Sequence, residues 1–108
     1  MSYTTNERQY YNEQRDRACQ RLGITKNQYN WLRRKGEELR QIYEDNCNGL
    51  LENVNYDEIT RMRETEIKQY IKEFNLYVYF QTDPRGATIY LDRVVIPENN
   101  YTQAVCIY

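Results

Sequence analysis

The spacing of the apolar residues changes near residue 75 and divides the chain into two kinds of structure. Before that point apolar side chains recur every three or four residues, as they do on one face of a helix. From Leu76 onwards they alternate, with the period of two that is typical of a strand. The chain of 108 residues is close to the commonest domain size. We therefore expect a single domain over residues 1–108, with a helical part at 4–74 and strands at 76–108.

The first two helices are predicted with their ends. The first spans Thr5 to Leu22 and ends at Gly23, which suits the left-handed conformation found after many helices. The second runs from about residue 26 to residue 46. It begins after Thr25, whose hydroxyl can accept from the Gln28 amide while the Gln28 side chain bonds back.

The second and third helices each carry an apolar stripe. Gly36 lies in the middle of the second helix, where glycine costs about 1 kcal/mol relative to alanine, so we expect close approach of another helix or of a bound group. The third helix begins near Asn55 and ends at Asn75. The second stripe comprises Tyr29, Leu32, Gly36, Leu39, Ile42, Tyr43 and Cys47, and the third Ile59, Met62, Ile67, Tyr70, Ile71 and Phe74.

The strands follow in order after the helices. The residues 83–86, Asp-Pro-Arg-Gly, fit a type I turn position by position and predict a hairpin. The returning strand covers residues 87–95, with Ile89 and Leu91 on one face and Thr88, Tyr90 and Asp92 on the other. A loop with Pro97, Asn99 and Asn100 precedes a third strand from about Tyr101 to Tyr108. The predicted fold is α+β, three helices followed by a small three-stranded antiparallel sheet with the helices on one face.

The composition excludes several classes of function. The chain has no His, so Ser-His-Asp and Cys-His catalysis and imidazole zinc sites are excluded. Its 15 Lys and Arg against 16 Asp and Glu argue against binding nucleic acid through general charge. No apolar run approaches the roughly 18 residues of a membrane span, and Cys19, Cys47 and Cys106 are expected to be reduced thiols in a cytoplasmic setting. We expect no catalytic residue, no metal, no cofactor and no membrane contact.

Tyrosine is the unusual residue, with 12 copies against 2 Phe and 1 Trp. Tyr77, Tyr79 and Tyr90 are predicted to share one face of the hairpin, a flat apolar surface with hydroxyl groups that suits stacking on a nucleobase. Two other interpretations stay open, in which helices cover this face or the tyrosines form a subunit interface. Arg33 and Arg34 on the second helix are candidates for holding phosphate.

Four segments resemble small bacteriophage accessory proteins of uncharacterised function: residues 21–25 (RLGIT), 29–34 (YNWLRR), 44–49 (EDNCNG) and 78–91 (VYFQTDPRGATIYL). Those proteins also join a helical front half, with a Cys-Asn-Gly helix end, to an Asp-Pro-Arg-Gly hairpin. The resemblance covers most of the chain from residue 21 to residue 91. It implies a role in the cytoplasm of an infected bacterial host, where such proteins often act against defences by binding.

The function expected from these features is that of a non-enzymatic anti-defence protein, a homo-oligomer that sequesters a small nucleotide-type immune signal. One alternative is an inhibitor that binds a host defence protein, in the manner of an anti-CRISPR. Another is a helix-turn-helix regulator that presents Lys26, Gln28, Asn30, Arg33 and Arg34 to a DNA groove. The predicted ligand-binding residues are Tyr29, Trp31, Arg33, Arg34, Asn48, Tyr77, Tyr79, Gln81, Asp83, Arg85 and Tyr90.

Overall fold

The structure is a computed structural model that describes residues 5–97 and 104–107. It confirms the α+β fold, three helices followed by a three-stranded antiparallel sheet. The predictions for Asn99 and Asn100, and for residues 101–103 and 108 of the third strand, lie outside the described residues. The elements are α1 Thr5–Leu22, α2 Lys26–Cys47, α3 Tyr56–Lys72, β1 Tyr77–Thr82, β2 Thr88–Val95 and β3 Val105–Cys106.

The turn between α1 and α2 is built by local hydrogen bonds that the sequence predicts. Gly23 has φ +71°, and the Cys19 carbonyl accepts from the Gly23 amide at 2.8 Å and from the Ile24 amide at 3.1 Å. Thr25 Oγ1 accepts from the Gln28 amide at 3.1 Å, and Gln28 Oε1 accepts from the Thr25 amide at 2.8 Å. Short-range contacts therefore fix both the end of α1 and the start of α2.

The sheet has the order β1-β2-β3, so β2 is its central strand. Val78 pairs with Val94, but Phe80 pairs with Leu91, which leaves Asp92 as an extra residue in β2. A second shift leaves Ile89 unpaired. These bulges break the simple alternation that the sequence predicts for β2.

Thr88 is a correction that follows from these bulges. The sequence placed it on the face of Tyr90, yet it is 8% exposed and its hydroxyl donates to the Glu64 carboxylate of α3. The Tyr56 hydroxyl also donates to the Thr88 carbonyl, at 3.3 Å. Thr88 therefore lies on the helix side of the sheet, because the extra residue Ile89 reverses the direction of its side chain.

The core lies between the helices and one face of the sheet, and Gly36 is buried within α2. The prediction that Met62 and Cys47 belong to the apolar stripes is wrong, because Met62 is 60% exposed and Cys47 is exposed. Met62 follows the buried Thr60 by two residues, about 200° around the helix, and Cys47 lies at the C-terminal end of α2, where the next three residues are exposed too. None of the described helices is long and apolar enough to cross a membrane.

Candidate functional site

The predicted site residues do not converge on one place. Tyr29 and Arg33 lie on α2 facing α1 and β3, Arg85 lies at the hairpin tip, and Tyr77 begins β1 at the other end of the sheet. Asp83 follows Tyr77 by six positions, which corresponds to about 20 Å of extended strand. One small ligand therefore cannot contact both ends of the hairpin, and each region has to be considered separately.

The first region is a pocket of about 310 Å³ between α1, α2 and β3, which we call the arginine pocket. α1 supplies Gln14, Arg17 and Arg21 at spacings of three and four residues, so that these side chains lie on one helix face. α2 contributes side chains four residues apart in the same way. The lining residues are Gln14, Arg17, Ala18, Arg21, Tyr29, Arg33, Val105, Cys106 and Ile107.

Arg33 joins the helical layer to the last strand. Its Nη1 donates to the Ile107 carbonyl at 3.0 Å, and its guanidinium carbon lies 5.0 Å from the centre of the Tyr11 ring. It also hydrogen-bonds the hydroxyl of Tyr29. Burial raises the pKa of Tyr29 even though this hydrogen bond opposes the rise, so the phenol is neutral at physiological pH.

The charge of the arginine pocket is one-sided. Three of its described lining residues are arginines and none is acidic. Arg33 is half-buried, whereas Arg17 and Arg21 are exposed at the rim. A concave surface with charge of one sign attracts ions of the other, and guanidinium groups match the geometry of phosphate and carboxylate. The arrangement can therefore bind an anion.

Sequence reasoning included Tyr29 and Arg33 but missed Arg17 and Arg21. Their spacing of four on α1 was the available signal, and nothing in the sequence showed that the final strand closes over that face. Arg34, which was predicted beside Arg33, is exposed and lies outside the pocket lining. Neighbours in a helix point about 100° apart, so Arg34 is turned away from its predicted companion.

The second region is a pocket of about 330 Å³ at the hairpin tip, lined by Tyr43, Asn46, Tyr56, Asp57, Arg85, Gly86 and Ala87. Its arginine is already paired, because Arg85 Nη2 lies 3.0 Å from the Asp83 carboxylate of the same turn. Asp83 also accepts from the backbone amides of Arg85 at 2.9 Å and Ala87 at 3.0 Å, and from the Tyr43 hydroxyl at 3.2 Å. Asp83 and Arg85, both predicted to bind the ligand, therefore hold the turn together.

The ionisation of Asp83 reflects these bonds. Its side chain is 6% exposed, whereas that of Arg85 is 77% exposed. Desolvation opposes ionisation, but the hydrogen bonds from Ala87, Arg85 and Tyr43 outweigh it and lower the pKa of the Asp83 carboxyl group. The turn is therefore stabilised by an ionised carboxylate at its centre.

The remaining aromatic residues lie apart from both pockets. Trp31 stacks on Tyr70 of α3 with ring centres 3.7 Å apart and planes 18° apart, which occupies one face of the indole. Tyr77 and Tyr79 pack edge to face at 5.3 Å on the outer face of the sheet, and Tyr77 is 56% exposed.

The last three predicted residues are Gln81, Tyr90 and Asn48. Gln81 pairs with Tyr90 across the strands, which confirms that Tyr90 shares the face of Tyr77 and Tyr79. The guanidinium of Arg40 lies 5.9 Å from the Tyr90 ring centre. Asn48 is exposed and caps the C-terminus of α2, where its backbone amide donates to the Glu44 carbonyl at 3.0 Å.

No cluster of three His, Cys, Asp or Glu side chains that could hold a metal ion occurs within residues 5–97 and 104–107. The three cysteines, all in this part of the chain, are free thiols, and burial raises the pKa of Cys19. The chain matches no protein-family model, no curated protein and no solved structure.

Proposed function

We propose that this protein binds a small nucleotide-type ligand in the arginine pocket and sequesters it without catalysis. The observation that carries the proposal is the pocket lining, which combines three arginines with no described acidic residue in a volume of about 310 Å³. Ligand pockets in proteins begin at about 300 Å³. The size and the charge therefore suit one small phosphate-bearing molecule.

The chemistry of the lining gives each group a role in this proposal. Arg17 and Arg21 bind the phosphate oxygens, because their guanidinium groups can donate two parallel hydrogen bonds. Tyr29, whose phenol is neutral, and Gln14 offer hydroxyl and amide groups for the sugar or base. Arg33 adds positive charge while it holds the Ile107 carbonyl.

The setting comes from the resemblance to phage accessory proteins. In that setting the ligand is a nucleotide immune signal of the infected bacterial host, and the protein lowers its concentration in the cytoplasm by tight binding. Sequestration needs an affinity high enough to compete with the receptor, and no turnover. A homo-oligomer is part of the proposal, since a polar chain of 108 residues buries limited surface by itself and a subunit interface adds to it.

Calorimetric titration tests the binding step. The probes are a cyclic dinucleotide, ADP-ribose and ADP, with adenosine as the control that lacks phosphate. We expect one phosphorylated probe to bind at least about tenfold more tightly than adenosine, which corresponds to one charge-assisted hydrogen bond. If none of the phosphorylated probes binds better than adenosine, the proposal is wrong.

Matched variants locate the binding site. The double variant Arg17→Glu with Arg21→Glu should bind the probe about 100-fold more weakly or worse, because two favourable ion contacts become repulsive. Arg34→Glu also changes an exposed arginine but lies outside the pocket, so its affinity should stay within about twofold of the wild type. If the double variant and Arg34→Glu lose the same affinity for the probe, the ligand does not bind in the arginine pocket.

Recovery of the ligand separates sequestration from catalysis. After incubation with excess protein, the probe is released by denaturation and identified by mass spectrometry. Full recovery of the intact probe is the expected result. Conversion of the probe into a product in proportion to time would contradict a non-enzymatic role.

A further inference from the structure

The sheet has an open edge at β1. The strand order β1-β2-β3 leaves one side of β1 without a strand partner in the described part of the chain. Its six residues, YVYFQT, include no charged residue and no proline, which are the usual protection of an exposed edge. Both bulges add their extra residue to β2, so β1 itself is a regular strand.

Each face of the sheet has a groove next to β1. On the helix side it measures about 290 Å³ and has an apolar floor of Ile71, Leu76 and Val78. On the outer side a hollow of about 230 Å³ is lined by Tyr77, Tyr79, Val95 and Pro97. Tyr77 borders both spaces. Because successive side chains of a strand point to opposite faces, a strand added at this edge would place one set of side chains against the helix-side groove and the other set against Tyr77 and Tyr79.

The rim of the helix-side groove carries positive charge. Lys68 and Lys72 are exposed and lie one helical turn apart. Neither ammonium group forms an ion pair with any residue that the structure describes. Lys68 Nζ instead lies 5.8 Å from the centre of the Phe80 ring. A carboxylate on the added strand could therefore pair with either lysine.

This charge decides between two occupants. Antiparallel pairing of β1 with β1 of a second copy places the helices of both copies on the same face of a joint sheet. The Lys68 and Lys72 side chains of both copies would then be on the same face, and β1 contains no carboxylate to balance them. The paired strand of a second copy therefore offers these lysines no carboxylate, whereas a strand with its own acidic residues does.

We propose that the β1 edge binds an extended segment of an acidic partner protein by strand addition. The segment has neighbouring apolar side chains, one for the helix-side groove and one for the outer face of Tyr77 and Tyr79, and a carboxylate that faces Lys68 and Lys72. This interaction is separate from the arginine pocket, which lies between α1, α2 and β3. The protein can therefore bind a small ligand and a protein segment at once.

A displayed library of random peptides about ten residues long, selected against the full chain, tests the proposal. Enriched peptides should carry neighbouring apolar residues, which face opposite sides of the strand, together with Asp or Glu. The best peptide is then synthesised with single N-methyl groups along its backbone. Methylation at every second amide should weaken binding by about tenfold or more, and methylation at the amides between them should have little effect, since only alternate amides face β1.

Two charge variants complete the test. The double variant Lys68→Glu with Lys72→Glu should lower the affinity for the peptide by about tenfold or more. Lys26→Glu, at the start of α2, should leave this affinity unchanged. An effect of N-methylation without alternation overturns strand addition, and so does a selection that enriches no peptide. Concentration-dependent dimers that Tyr79→Lys abolishes would make a second copy the occupant and would also overturn the proposal.

Discussion

The arginine pocket and the hairpin-tip pocket are similar in size but differ in the charges of the residues that line them. The arginine pocket holds about 310 Å³ and the hairpin-tip pocket about 330 Å³, and each combines arginine with tyrosine. At the hairpin tip Arg85 meets Asp83 in its own turn, and Asp57 also lines the pocket. None of the described residues that line the arginine pocket is acidic. The two pockets therefore differ in whether carboxylates belong to their lining.

This difference has an energetic consequence. Like charges in one concave surface repel each other, and an anion that binds between them relieves the repulsion. A ligand that binds only the folded protein also stabilises it by mass action. We therefore expect the arginine pocket to respond to anions and the hairpin tip to respond to pH. The following predictions test this contrast in order of decreasing effect.

The first and strongest effect is expected at Arg33. Arg33→Ala removes the donor of the Ile107 carbonyl and the partner of the buried Tyr29 hydroxyl, so the free energy of unfolding should fall by about 2 kcal/mol. Urea denaturation measures this loss. Arg85→Ala, at the exposed tip, is the matched control and should change the midpoint much less. The contrast between the two pockets fails if Arg85→Ala is the more destabilising change.

A smaller effect is expected at the turn that joins α1 to α2. Gly23 has φ +71°, and a Cβ atom at this position would meet no atom of a more distant residue within 4 Å. Gly23→Ala therefore adds backbone strain without a clash, at about 1 kcal/mol. Anion affinity should fall as well, because this turn sets the position of Arg21. Gln20→Ala, at an exposed helical position, is the control. If Gln20→Ala lowers the free energy of unfolding as much as Gly23→Ala does, this explanation is contradicted.

The weakest effect is local and depends on pH. The pKa of Asp83 is lowered in the folded protein, so its contribution to stability is fully present above the unfolded value of about 4. That contribution is lost as the pH falls through the lower folded value. The amide signals of Arg85 and Ala87 in NMR spectra should report this titration below about pH 4, and Asp83→Asn should abolish it. A midpoint at or above the unfolded value would contradict the role of these hydrogen bonds.

Local chemistry explains what the sequence could predict about the fold. The capping box of Thr25 and Gln28 and the Asp83 turn depend on groups within four residues of each other. The bulges of β2 could not be predicted, because the position of Thr88 depends on Glu64 and Tyr56, which are 24 and 32 residues away. A regular alternation was therefore the natural expectation, and it failed where α3 contacts the strand.

The candidate site was predictable only in part for the same reason. Tyr29 and Arg33 belong to one helix and were found together. Arg17 and Arg21 become part of a pocket only when β3 lies beside α1, and the bond that helps to hold it there joins residues 74 positions apart. Trp31 was predicted to stack on a ligand, and Tyr70 of α3, 39 positions away in the sequence, occupies one face of its indole. Partners that are distant in sequence decided each of these outcomes.

NMR spectroscopy of the arginine side chains can show whether the arginine pocket, and not the hairpin tip, binds anions. The Nε–Hε signals of Arg17, Arg21, Arg33 and Arg85 are followed while pyrophosphate is added to the intact protein. We predict saturable shifts for the arginines of the arginine pocket, and none for Arg85, whose guanidinium is already paired with Asp83. Shifts of Arg85 without shifts of Arg17 and Arg21, or no saturable shift at all, would contradict this prediction.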